Sequence, residues 1–220
     1  LIKNKLKNYA IAGINSEIVD LKILYVEINS TIYYNPSSIS SSNNLRSSII
    51  SGLSDYSNNI EINKFGGRFK YSKINTLIDR VDNGITSNIT KVIIRRDMKA
   101  LLNQFAQYEL CFGNRFYINP AGYNIKSTGF TVSGSNETAF LTDVPNKDAA
   151  GNLDGSMKGT LSVVFKNQRD NQQILIKDAG IVDYKKGEII LNTINITSTA
   201  SQNNIIEVQA FPESNDVVGL

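Results

Sequence analysis

The sequence contains no histidine and no tryptophan, a single cysteine, two methionines and four prolines in 220 residues. The missing histidine removes Ser-His-Asp and Cys-His nucleophile activation, histidine metal sites and the commonest general base. One cysteine, Cys111, leaves no internal disulfide and no cysteine zinc site. Leu110 and Phe112 on either side of it predict a small buried apolar residue rather than a reactive thiol. No apolar run reaches the roughly 18 residues that a membrane-spanning helix needs. The first residues, Leu1-Ile2-Lys3-Asn4-Lys5-Leu6, have neither a methionine nor a signal-peptide core. Residues 1–20 are therefore expected to be the end of a preceding domain or a linker.

Net charge is also small. The formal net charge of +3 is too small to argue for nucleic acid. It is unevenly spread, with 14 basic and 9 acidic side chains in residues 1–110 against 9 and 11 in residues 111–220. Opposite signs at the two ends suit contacts between neighbouring subunits, although a solvated surface is the preferred reading. Four Asn-x-Ser/Thr sequons, at Asn29, Asn88, Asn136 and Asn195, are what chance gives in a chain with 27 asparagines, and no glycosylation is expected.

What is present is a globular composition, 41% hydrophobic and 20% charged, in a chain long enough to bury a core. Leu24, Val26, Ile28, Ile32 and Tyr34 alternate with Tyr25, Glu27, Asn29, Thr31 and Tyr33, which predicts a half-buried strand closed by Asn35-Pro36. After a serine-rich loop, Asn44 is a candidate N-cap for a helix carrying Leu45, Ile49, Leu53 and Tyr56 at helical spacing. Ser72 is a candidate cap for a second helix with Ile74, Leu77, Ile78 and Val81, which Asp82-Asn83-Gly84 would end in a left-handed stop. Ile89 to Met98 returns as a strand. Residues 21–100 thus predict a strand–helix–helix–strand α+β domain, and residues 101–220 a β-rich C-terminal domain. In the latter, Lys185-Lys186-Gly187 reads as a hairpin turn with glycine where positive φ is needed. Ile205 to Phe211 reads as the last strand.

Between the two expected helices lies Lys64-Phe65-Gly66-Gly67-Arg68-Phe69-Lys70-Tyr71-Ser72, a glycine pair in an aromatic and basic frame. A phosphate cradle is one reading of two glycines followed by a cation and a helix start. The longer glycine patterns of phosphate loops are absent, so a tight turn with Phe65 and Phe69 pinned into the core is preferred. Asn152-Leu153-Asp154-Gly155 resembles part of a calcium loop, but Ala150 and Leu161 stand where ligands are required. Arg95-Arg96, with Lys91 and Lys99, could form a basic stripe; consecutive strand residues point to opposite faces, which halves it. No catalytic residue, metal ligand or cofactor site is expected.

Several segments, in order, resemble the large baseplate wedge protein of T-even-like contractile-tailed phages, a baseplate J-like family. They are Tyr25 to Pro36, Lys64 to Lys73 with Ile78-Asp79, the Asn88-Ile89-Thr90 strand entry, Tyr108 to Asn114, and Gly180 to Ile189. The resemblance implies the C-terminal part of a structural wedge subunit of the virion, made in the host cytoplasm. Such a subunit oligomerises into a ring around the central hub and relays baseplate rearrangement to sheath contraction. Its partners would be copies of itself and other wedge proteins, with no nucleic acid, membrane or small-molecule substrate. Phe65, Arg68 and Phe69 are the expected subunit contact, because aromatic and arginine side chains dominate interfaces. The alternative is a tail-associated carbohydrate-binding or hydrolytic β domain in residues 101–220, suggested by its tyrosines and asparagines.

Overall fold

The computed structural model describes residues 23–59, 62–166 and 171–219; the linker expected at 1–20 lies outside them. The chain is α+β, as the patterning predicts. It runs β1 (Tyr25–Tyr34), α1 (Ser42–Ser57), β2 (Arg68–Phe69), α2 (Tyr71–Arg80) and β3 (Ile85–Lys99). It continues with β4 (Phe105–Cys111), β5 (Lys126–Ser127), β6 (Phe130–Val132), β7 (Ala139–Pro145) and β8 (Lys158–Lys166). The last elements are β9 (Gln172–Asp183), β10 (Glu188–Thr199), β11 (Ile205–Ala210) and β12 (Val217–Val218).

A four-stranded antiparallel sheet has the order β1-β3-β11-β5. Register places Val26 and Ile28 of β1 opposite Ile94 and Val92 of β3, and Ile206 and Ala210 of β11 opposite Met98 and Ile94. Directly opposed residues share a face, so these side chains form one apolar surface. Leu45 and Ile49 of α1 and Ile74 and Ile78 of α2 join it in a single core cluster. The other face is polar. Arg95 Nη1 lies 2.9 Å from Glu27 Oε1 and 3.2 Å from Glu207 Oε1, its Nε lies 3.2 Å from Asp97 Oδ1, and its guanidinium stacks 4.3 Å from the Tyr25 ring centroid. Two strands of this sheet, β5 and β11, come from the 101–220 half, so that half and residues 21–100 share a sheet and a core.

The second sheet has the order β4-β10-β6-β7-β8-β9, and β9 also pairs with β10. β10-β6-β7-β8-β9 therefore close into a five-strand barrel around Phe130, Leu141, Leu161, Val182, Ile189 and Ile196. An odd ring of antiparallel neighbours needs strands that change direction along their length. Register breaks in β8 and β10 supply such bends. The hairpin at Lys185-Lys186-Gly187 forms as expected, with Gly187 at φ 69°. Asp143, fully buried, accepts from Ile125 N at Oδ1 and from the Tyr184 hydroxyl at Oδ2, each at 2.7 Å.

Three local expectations need correction. The cap of α1 is Ser41, whose Oγ accepts from Asn44 N at 3.1 Å; Asn44 is already inside the helix. α2 starts at Tyr71 with Lys70 at its N-cap, so Ser72 lies within the helix and cannot cap it. Gly84 is not left-handed. An added Cβ would lie 2.6 Å from Ile39 Cγ2, so a larger residue would have to displace that side chain, and the turn is held by Asp82 Oδ1 accepting from Gly84 N at 2.7 Å.

Candidate subunit-contact surface

The glycine-pair stretch forms a tight turn into a strand. Gly66 has φ 68°, and Gly67 N donates to Lys64 O at 2.9 Å. A Cβ on Gly67 would stand 2.1 Å from Ile62 O, so no other residue fits without moving the backbone. The chain then enters β2, which pairs antiparallel with β12 as Phe69↔Val217 and Arg68↔Val218. The two-residue ribbon keeps the strand alternation. Phe69 and Val217 point inward, 6% and 2% exposed, while Arg68 and Val218 point outward.

Phe69 meets Tyr56 of α1 edge-on, with ring centroids 6.4 Å apart and an interplanar angle of 79°. Phe65 does not enter the core as expected: it is 78% exposed. The left-handed Gly66 reverses the chain between the two phenylalanines, so their even, four-residue spacing no longer places them on one face. Of the three residues expected at a contact, Phe65 and Arg68 are on the surface, with Val218 beside Arg68, and Phe69 anchors the ribbon beneath.

The ribbon is strapped at two points by residues that sequence reasoning did not single out. Asn114 donates from Nδ2 to Val218 O at 2.8 Å and to Phe112 O at 2.9 Å, and its Oδ1 accepts from Val218 N at 3.0 Å. Asp216 Oδ1 accepts from Tyr71 N at 2.8 Å. A carboxylate 145 residues downstream thus caps α2, where the macrodipole favours negative charge. This also removes the phosphate reading, because the helix N-terminus that would attract an anion already holds one. Neither strap has a local sequence signal, since each joins segments about a hundred or more residues apart.

The other constellations resolve into structural uses. Asp148 Oδ1 accepts from Ala150 N and Asn152 N, each at 2.9 Å, and Asp154 Oδ1 accepts from Ser156 N at 2.8 Å, so these loop carboxylates shape turns. Among the described residues no cluster of three or more metal-ligating side chains occurs. No helix among them is long and apolar enough to cross a membrane. Arg95 and Arg96 do point to opposite faces: Arg95 enters the ion-pair network, and Arg96 is 3% exposed. Cys111 is half-buried rather than buried, at the end of β4.

Residues 22–97 match the family model described as Baseplate structural protein gp6, C-terminal domain III. The matched segment contains β1, both helices, the glycine pair and nearly all of β3. Comparison with curated proteins finds no match.

Proposed function

We propose that this chain, which belongs through residues 22–97 to the gp6 baseplate structural protein family and so to the phage virion tail, oligomerises into a ring around the central hub and relays baseplate rearrangement to the sheath. The observation that carries this reading is the family match over the α1–α2 segment, with Phe65 and Arg68 standing outward from it. An exposed phenylalanine and arginine on a backbone fixed by Gly67, Asn114 and Asp216 suit a subunit contact, because little loop freedom remains to be lost on binding. The partners are further copies of this chain and other wedge proteins, and the role is structural.

Image reconstruction of the assembled tail tests this directly. Density for the chain arranged in a ring about the tail axis, with Phe65 and Arg68 against a neighbour, is the expected result. Arg68→Glu is expected to impair assembly while leaving the free chain folded. Unaltered baseplates carrying that variant would remove Arg68 from the contact.

A further inference from the structure

Arg96 is the one arginine on the apolar face of the first sheet, between Ile94 and Met98 and opposite Val208. It is 3% exposed, and its Nε and Nη1 meet no hydrogen-bond acceptor among the described residues. The contrast with Arg95, which meets three carboxylates, is sharp. A buried charge without a partner is strongly unfavourable, and a guanidinium, unlike an amine, cannot escape by losing its proton near neutral pH. Burial pushes its pKa below the ordinary arginine value, with nearby Cys111 partly offsetting this. A position that retains such a group within an otherwise apolar face calls for an anion.

The surroundings define which anion. Arg96 lines a cavity of about 440 Å³, open at the surface, together with Tyr25, Lys99, Tyr108, Leu110 and Cys111. Asp97 and Glu109 also border it, which disfavours a multiply charged phosphate and suits a single carboxylate. Two strand edges meet there. β1 pairing begins at Tyr25↔Arg95 and Ile23 also borders the cavity, so among the described residues β3 at Met98 and Lys99 pairs with β11 alone. β4 pairs with β10 alone, and Gln107 to Cys111 lie along the cavity. Unpaired edges accept an extended segment by main-chain hydrogen bonding.

We propose that this cavity receives an aspartate or glutamate side chain carried on an extended segment of a neighbouring baseplate protein, its carboxylate paired with Arg96. The inference rests on the baseplate reading for its partner, but the anion site itself is a property of the free chain.

The test has two arms. In the free chain, the Arg96 Nε–Hε resonance is followed by NMR during titration with sodium acetate, with sodium chloride at matched ionic strength as control. A saturable shift with acetate, exceeding that with chloride, is expected; equal or non-saturable responses overturn the anion site. Arg96→Met should fold with equal or higher thermal stability, since an apolar side chain of similar length suits the face. Its assembly into tails should weaken roughly thirtyfold or more, the loss of a buried charge pair. Undiminished assembly overturns the docking role, and should the methionine variant fail to fold, the wild-type titration still decides the site. In a reconstruction of the tail, a neighbour's carboxylate at Arg96 supports the proposal, and a chain seated in the ring with that cavity empty overturns it. A chain absent from the baseplate would instead defeat the reading of function, whatever the titration shows.

Discussion

The Tyr184 hydroxyl donates a 2.7 Å hydrogen bond to Asp143 Oδ2 across 41 residues of sequence, and both side chains are fully buried. Burial, the Asp143 charge and this bond push the tyrosine pKa well above its ordinary value. A proton held more tightly when folded than when unfolded contributes stability below the unfolded tyrosine pKa of about 10, and the contribution falls as pH rises beyond it. Tyr184→Phe is expected to lower unfolding free energy at pH 7 by about 1–3 kcal/mol, because a buried carboxylate oxygen loses its donor. It should also flatten the decline above about pH 10. Denaturant melts of both proteins across pH 7 to 11 check both statements, and parallel pH profiles would remove Tyr184 as the alkaline-sensitive group.

Phe65 and Phe69 should separate stability from assembly. Phe69→Ala empties a core position against Tyr56 and is expected to cost about 3–5 kcal/mol. Phe65→Ser removes an exposed ring and should change stability by no more than about 0.5 kcal/mol while weakening the subunit contact. Chemical denaturation and a tail-assembly assay on the same two variants make the comparison.

Asp216 and Asn114 act on the same ribbon at different points, the first at Tyr71 after β2 and the second at Val218 of β12. Asp216→Ala is expected to cost about 0.5–2 kcal/mol as a lost helix cap, and Asn114→Ala about 1–3 kcal/mol. Hydrogen exchange should accelerate at Val218 and in the first turn of α2 for the former, and at Val218 alone for the latter. Protection of barrel amides such as Leu161 should not change in either variant. A global rise in exchange would contradict this local role.

Much of the architecture is legible in the chain because it follows short periods. The two-residue alternation of Tyr25–Tyr34 and of Ile89–Met98 marks β1 and β3, and also separates Arg95 from Arg96. The spacing of Ile74 and Ile78 marks α2. What escapes is whatever depends on distant pairing. Nothing near Ile205 says that β11 joins β3 rather than the barrel strands that precede it, and nothing near Asp216 announces a cap for Tyr71. Phe65 is a different case: the glycine pair that makes the stretch recognisable also breaks the face relation from which its burial was inferred.

Because β11 and β5 complete the first sheet, residues 21–100 and 101–220 should depend on each other. Residues 21–100 expressed alone would expose the β3 edge opposite β1 and the apolar face that Ile206, Val208 and Ala210 continue. That fragment is expected to aggregate and to show no cooperative thermal transition, whereas the whole chain shows one. Size exclusion and calorimetry decide the matter, and a soluble, cooperatively melting 21–100 fragment would establish it as an independent domain.

β1 and β11 flank β3 and both run antiparallel to it, so they point the same way. Tyr25 at the start of β1 lies opposite Arg95 and Ala210 at the end of β11 lies opposite Ile94, so tension drawing these two points apart would pull across the sheet. Such a load falls first on the rungs at Ile94 and Arg95, the level at which β3 pairs on both sides. The bridge from Gln209 Nε2 to Glu27 Oε2, 2.7 Å long and spanning 182 residues, ties the two loaded strands across the top. The sheet is thus pinned at its middle, where this bridge and the ion pairs of Arg95 hold the one level at which β1, β3 and β11 lie side by side.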